Sequence, residues 1–218
     1  MRSFRSLSVC FFRLVTLILF VLSIARCSQG GEIKATAEGI MIDAGAAGTY
    51  VMSYPHLLNP SDQGLIPEHI VVKSDGSGAT MTYRPSAKLT LDQQTDGSWL
   101  FHVTGIPPDR MKLAFGISFP LKVIEEGATW TVNGEAPRTF SAKKATDKVD
   151  LYKGNPESFG FTKNKASFTI TYADRTWTQI QDQRPWGIHY FQLANIYYFP
   201  AKITLPEINY LIFIKSDK

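Results

Sequence analysis

The stretch from Arg175 to Gln192 holds the densest group of side chains that could bind or transform a ligand. Alternate residues of a β-strand share a face, so Trp177, Gln179 and Gln181 are predicted to lie together. An indole packs against the C–H face of a sugar ring, and a carboxamide donates and accepts hydrogen bonds with its hydroxyls. The predicted ligand-binding residues are Trp177, Gln179, Gln181, Arg184, Trp186, His189 and Tyr190.

The same residues also have a structural interpretation. Trp177 and Trp186 could be core anchors, and Arg184 could form an ion pair with Asp182 that fixes the turn. The aromatic residues that follow are divided by strand alternation. One residue of each adjacent pair is predicted to be at the surface, the pairs being Tyr190 with Phe191 and Tyr197 with Tyr198.

An enzymatic alternative uses the same stretch. In a polysaccharide lyase, His189 or Tyr190 would be the base, and Arg184 would neutralise a uronate carboxylate. A glycosidase would need two carboxylates about 5 to 10 Å apart across a cleft, and nothing in the spacing selects a pair such as Asp174 and Asp182. No nucleophile elbow, phosphate-binding loop or dinucleotide motif occurs in the sequence. The sequence therefore predicts no catalytic residue and no cofactor.

Histidine and cysteine usage gives no metal-binding pattern. The histidines are scattered singly, at His56, His69, His102 and His189. None has the spacing that places two imidazoles on one metal ion. The two cysteines, Cys10 and Cys27, both fall in the first thirty residues. The sequence therefore predicts neither a metal site nor a disulfide in the remainder of the chain.

The first thirty residues have the pattern of a signal peptide. Arg2, Arg5 and Arg13 precede an apolar run from Leu14 to Ala25, which is shorter than the roughly 20 residues of a membrane span. We predict a signal peptide over residues 1–30 and a secreted, periplasmic or extracellular protein. Two alternatives involve the membrane: lipidation at Cys27, or an uncleaved signal that acts as an anchor.

The charge balance argues against a nucleic-acid partner. The formal charge of +4 comes from 23 basic and 19 acidic residues, and four of the arginines lie in the predicted signal peptide. The remaining chain has no formal net charge and no basic cluster, so it lacks the electrostatic surface that nucleic acid or anionic lipid requires.

Short segments of alternating, β-branched and aromatic residues recur along residues 31–218 between turn-forming residues. The predicted fold is a single all-β domain, a two-sheet antiparallel β-sandwich of jelly-roll or super-sandwich type. The stretch from Phe140 to Pro156 is rich in Lys and Asp and is predicted to be a long solvated connection. The predicted strands are 49–54, 69–73, 80–83, 88–91, 99–103, 112–119, 130–132, 167–172, 176–181, 188–193 and 210–215.

The clearest hairpin is predicted around Asp96-Gly97, a pair suited to the positive φ of a tight turn. It joins two strands with alternating apolar residues, and we predict Trp99 to be a core residue. Trp130, in another apolar strand beside a turn, is also predicted to be buried. The inward-facing residues of the hairpin are predicted to be Leu89, Leu91, Trp99, Phe101 and Val103.

The order of three motifs resembles that of β-sandwich modules in secreted bacterial polysaccharide-active proteins of the rhamnogalacturonan-lyase-like type. The motifs are Phe119-Pro120-Leu121, Trp130-Thr131-Val132-Asn133-Gly134 and the segment from Gln181 to Gly187. The resemblance implies an accessory domain that binds a polysaccharide or cell-surface glycan without transforming it. A third possibility is a structural or assembly protein of the cell envelope, which would bind protein through a sheet edge or an aromatic patch.

Overall fold

The computed structural model describes residues 31–146, 149–200 and 207–217. The predicted signal peptide and Cys27 lie outside these residues, so secretion and lipidation remain predictions. None of the helices in the described ranges is long and apolar enough to cross a membrane.

The described residues form eighteen β-strands, numbered here in chain order. The first nine are β1 Ile33–Ala35, β2 Gly39–Asp43, β3 Thr49–Ser53, β4 His56–Leu58, β5 Gly64–Leu65, β6 His69–Val72, β7 Gly78–Thr82, β8 Lys88–Gln93 and β9 Ser98–Thr104. The others are β10 Lys112–Pro120, β11 Thr129–Val132, β12 Arg138–Thr139, β13 Asp150–Gly154, β14 Ser158–Lys163, β15 Ala166–Tyr172, β16 Thr176–Asp182, β17 Tyr190–Tyr198 and β18 Glu207–Asp217. Helical structure is limited to the α-helical turn Lys122–Glu125 and the 3₁₀ turns Gly45–Ala47 and Arg184–Trp186 in the described ranges.

The strands make two antiparallel sheets. The first has the order β1-β2-β3-β10-β17-β16-β13, with β4 and β5 beside the start of β10. The second has the order β12-β11-β14-β15-β18-β9-β8-β7-β6. The prediction of an all-β, two-sheet sandwich is confirmed.

An aromatic cluster fills the space between the sheets. Phe119 extends from β10 of the first sheet and stacks on Phe161 of the second, with ring centroids 4.9 Å apart. Phe161 in turn stacks on Phe168 at 5.4 Å. Burying an aromatic side chain of this kind stabilises the fold by about 1.5 to 3 kcal/mol. This core fixes the orientation of β10, and therefore which of its residues face outward.

The hairpin prediction is confirmed in detail. Gly97 has a φ of 84°, and β8 pairs with β9 so that Leu91 lies opposite Phe101. All five inward-facing residues predicted for it are buried, as is Trp130. Each of the other predicted segments also contains a strand, because alternation of apolar and polar residues directly reports which side chains a sheet buries.

The predicted solvated connection from Phe140 to Pro156 is wrong in two places. Phe140 is buried, and its ring centroid lies 4.9 Å from that of Phe191. Residues Asp150–Gly154 form β13, which pairs with β16 at the edge of the first sheet. An edge strand with a polar outer face lacks the apolar alternation that identifies internal strands, and its Lys and Asp residues favoured a loop assignment.

Candidate functional site

Strand β16 has two chemically different faces. The inner residues Thr176, Thr178, Ile180 and Asp182 are buried. The outer residues Trp177, Gln179 and Gln181 are partly exposed. The prediction that these three side chains share one face is confirmed, and the face is the outer surface of the first sheet.

Asp150, on the neighbouring strand β13, orders the two carboxamides. Its Oδ1 accepts hydrogen bonds from Nε2 of Gln179 at 2.6 Å and from Nε2 of Gln181 at 2.9 Å. Partial burial raises the pKa of Asp150, but the hydrogen bonds from the amides and from Lys153 outweigh that effect and leave the pKa lowered. Because an ionised carboxylate can only accept, both amides must present their NH₂ groups to it.

The amide network continues to β17. Gln181 lies opposite Gln192 in the β16–β17 register. The Nε2 group of Gln183 donates to Oε1 of Gln181 and to Oε1 of Gln192, both at 3.1 Å. Hydrogen bonds therefore link Asp150 to Gln181, Gln183 and Gln192 in turn, so the carboxylate sets the orientation of each amide. The last group of this chain is the NH₂ group of Gln192.

Gln192 is also one wall of a groove of about 690 Å³ over β3 and β10. The groove floor has small side chains, and Gly116 is required there because an added Cβ would collide with the backbone carbonyl of Leu193. The groove lining is Glu38, Gly48, Thr49, Tyr50, Val51, Ser53, His56, Gly116, Ser118, Pro120, Lys122, Lys163 and Gln192.

Two lysines contribute charge to this groove. Lys163 is buried, and its Nζ donates to Oε2 of Glu126 at 2.9 Å. That hydrogen bond is the main reason that the pKa of Glu126 is lowered. Lys122 is exposed. Burial lowers the pKa of His56, which favours the neutral form of its imidazole.

A second depression, of about 500 Å³, lies at the other end of β16. Trp177 lines it together with Asp174, Arg175 and Asn155. Tyr198, on the outer face of β17, also lines it and is 49% exposed. This depression combines ring faces with a carboxylate, a guanidinium and an amide, all of which can bind sugar hydroxyls.

Arg184 is committed to the protein's own structure. Its Nε and Nη2 donate to the two carboxylate oxygens of Asp182 at 2.8 Å each. Nη1 donates to the carbonyl of Ala142 at 3.0 Å, and Nη2 also donates to that of Ser141 at 2.8 Å. Burial raises the pKa of Asp182, but its hydrogen bonds from Arg184 and Ala145 outweigh burial and leave the pKa lowered. Arg184 and Asp182 therefore form the ion pair that the structural interpretation of the sequence predicted.

The remaining predicted residues line neither depression. Trp186 is 56% exposed in the turn before β17, and His189 is exposed. Tyr190 faces outward at the start of β17, opposite Pro120. The predicted separation of adjacent aromatic residues is confirmed, since Phe191 and Tyr197 are the buried members of their pairs.

Sequence reasoning missed Asp150, Gln192, Lys122 and Lys163 as site residues. Gln192 was the only one inside the stretch singled out, and its spacing from Tyr190 places both on the outer face of β17. The others come from distant parts of the chain, so no local pattern indicates them. Among the described residues, no group of three or more His, Cys, Asp or Glu side chains is arranged to hold a metal ion.

No protein-family model and no curated protein matches the chain. Among solved structures, the chain is similar to a GH31 family sulfoquinovosidase from E. rectale in complex with an aza-sugar inhibitor. The identity is 7%, the TM-score is 0.47, and the match covers 86% of this chain and 32% of that one, so the chain spans about a third of that enzyme's length. The neighbour is not a rhamnogalacturonan lyase, and the resemblance to that type of module stays a prediction.

Proposed function

We propose that this protein is a secreted, non-catalytic module that binds a carbohydrate along the outer face of its first sheet. The observation that carries the proposal is a continuous row of outer-face side chains. It runs from Trp177 through Gln179 and Gln181 to Gln192 and opens into the groove over β10. The part of the row on β16 extends about 13 Å at the rise of a β-strand.

The chemistry of the row suits a sugar chain. Trp177 supplies an apolar ring at one end, and the carboxamides supply donors and acceptors along the row. The hydrogen bonds to Asp150 hold these amides in one orientation before a ligand arrives. Such preorganisation reduces the entropy cost of binding. The expected ligand is a polysaccharide or cell-surface glycan outside the cytoplasm, the location that the predicted signal peptide implies.

The geometry of the candidate catalytic groups supports binding rather than catalysis. The guanidinium of Arg184 would have to leave Asp182 and the loop carbonyls to reach a uronate. Asp174 lies two residues before β16 and Asp182 ends it. The strand between them extends about 20 Å, which exceeds the 5 to 10 Å of a glycosidase pair.

The test compares glycan binding by Trp177→Ala and Phe213→Ala variants of the full-length protein. Phe213 is the matched control, because it is an exposed aromatic residue on the outer face of the second sheet. A glycan array and pull-down on insoluble polysaccharides identify the ligand, and the same samples are assayed for reducing ends and unsaturated products. We expect Trp177→Ala to weaken binding about tenfold or more, because the indole no longer packs against the sugar ring, and Phe213→Ala to have no effect.

Three results would contradict the proposal. Product release would indicate an enzyme. If the wild type and the Trp177→Ala variant bound the glycan with equal affinity, the binding site would lie elsewhere than on this face. Absence of any glycan binding would favour a protein partner, for which the sheet edge at β6 is a candidate because Ile70 and Val71 are exposed there.

A further inference from the structure

Lys163 is an unusual residue in the lining of the groove over β10. The side chain of Lys163 is only 7% exposed, yet it lines the groove. An ammonium group has three N–H donors. Within the described residues, one of them is used, in the hydrogen bond to Glu126. A buried ammonium with two remaining donors beside a groove is suited to a ligand oxygen that accepts hydrogen bonds.

Gln192 supplies a second kind of donor to the groove lining. The carboxamide chain anchored at Asp150 uses Oε1 of Gln192 as an acceptor for Gln183. The Nε2 group of Gln192 has no hydrogen-bond partner in the part of the chain that the structure describes, and Gln192 lines the groove. The amide network therefore offers the groove an NH₂ donor. Lys122 adds a second ammonium to the same lining.

We infer that this groove binds the acidic group of an anionic sugar, a carboxylate or a sulfate, between Lys122, Lys163 and Gln192. The inference rests on the proposed carbohydrate function and names its ligand class. An anion has acceptor sites only, so it can accept from several donors of the groove lining at once, and hydrogen bonds that involve charged groups are stronger than neutral ones. A sugar hydroxyl has a proton of its own that needs an acceptor, and it fits this donor set less well.

The selectivity comes from directed donors, not from a positive field. Glu38 also lines the groove, and Glu126 pairs with Lys163, so the two lysines are balanced by two carboxylates. Binding that depended on net charge would disappear at high salt. Binding through the buried ammonium of Lys163 and the partly buried amide of Gln192 should persist with a modest loss.

The experiment measures the affinity of the full-length protein for acidic and neutral forms of the same polymers. The pairs are oligogalacturonate and its methyl ester, dextran sulfate and dextran, and carboxymethylcellulose and hydroxyethylcellulose. Two variants are compared with the wild type: Lys122→Ala, and the double variant Lys163→Gln/Glu126→Gln, which keeps a hydrogen-bonded pair and removes both charges. Lys215→Ala is the control, since Lys215 is an exposed lysine on the outer face of the second sheet.

We expect at least one acidic form to bind about tenfold more tightly than its neutral partner, the value of one charge-assisted hydrogen bond. Both groove variants should remove that preference, while Lys215→Ala and the circular dichroism spectra stay unchanged. Equal binding of acidic and neutral forms would overturn the inference and leave the proposed function standing. An acidic preference that survives in both groove variants, or is lost at high salt, would also overturn it. Failure to bind any glycan in the array or in these pairs would instead overturn the proposed function.

Discussion

The outer faces of the two sheets are built by the same alternation but carry different chemistry. On the second sheet, threonines lie opposite each other, as in the pair Thr80 and Thr90. Its outward side-chain contacts include small groups such as that of His102, whose Nδ1 lies 2.7 Å from Oδ1 of Asn209 and whose Nε2 lies 3.7 Å from Oε2 of Glu207. On the first sheet, an aspartate and four glutamines are joined into one network beside a groove.

The difference between the two faces distinguishes residues that are favoured in β-strands from residues that could bind a ligand. Threonine is favoured in strands for its branched side chain, so a threonine-rich face needs no further explanation. Glutamine is not among the residues enriched in strands. The glutamines of the first sheet are instead held in fixed orientations around Asp150, which is what a recognition surface requires. The predictions that follow test this contrast.

The largest expected effect is on stability, at the ion pair that ends β16. Arg184→Ala would leave the carboxylate of Asp182 buried without its bidentate partner and would remove the donor from the carbonyls of Ser141 and Ala142. Removing one member of a buried ion pair costs about 3 to 5 kcal/mol. The free energy of unfolding, from urea titration, should fall by that amount.

The matched control for Arg184 is Lys215→Ala. Lys215 pairs with Asp217 on the exposed face of the second sheet, and losing it should change stability by less than about 0.5 kcal/mol. Arg184→Lys keeps the charge and loses the fork-shaped guanidinium, so it should be intermediate. If Arg184→Ala were as stable as the wild type and lost glycan binding, Arg184 would be a ligand-binding residue, as the sequence analysis predicted.

A smaller effect is expected at Asp150, where glycan binding should depend on pH. The folded pKa is lowered, so the carboxylate stays ionised from neutral pH down past the ordinary value of about 3.9. The network's contribution to stability is present above that value and is lost as the pH falls through the lowered pKa. Glycan affinity measured by calorimetry should be constant through about pH 4 and should decline only at lower pH, as the carboxylate of Asp150 becomes protonated.

The Asp150→Asn variant should lose this pH dependence, because it lacks the carboxylate that titrates. Asparagine can donate as well as accept, so Gln179 and Gln181 would no longer be held in one orientation. Affinity at neutral pH should fall about twofold to tenfold, the value of one net hydrogen bond. Asp92→Asn is the control, because Asp92 pairs with Lys73 on the second sheet. Equal losses in both variants would show that the Asp150 network has no special part in binding.

The sequence was sufficient for features that depend on local alternation. The faces of β16, the hairpin at Asp96-Gly97 and the burial of Trp99 all follow from a period of two. It was insufficient where partners come from distant segments. Asp150 meets Gln179 because β13 pairs with β16, and that pairing joins an edge strand without apolar alternation to a strand some thirty residues away. The structural role of Arg184 likewise depends on hydrogen bonds to loop carbonyls about forty residues earlier in the chain.

The smallest effect is expected at Trp186. Its substitution can be compared with that of Trp177, the other tryptophan of the same stretch. Trp177 lines a depression beside the amide row, whereas Trp186 is 56% exposed in the turn and lines neither depression. Trp186→Ala should change the free energy of unfolding by less than about 0.5 kcal/mol, as for other exposed surface sites. Glycan affinity should change by less than about twofold, the same energy expressed as an equilibrium constant. A loss as large as that of Trp177→Ala, with stability intact, would extend the binding surface past Gln183 into the turn and bring His189 and Tyr190 within its reach.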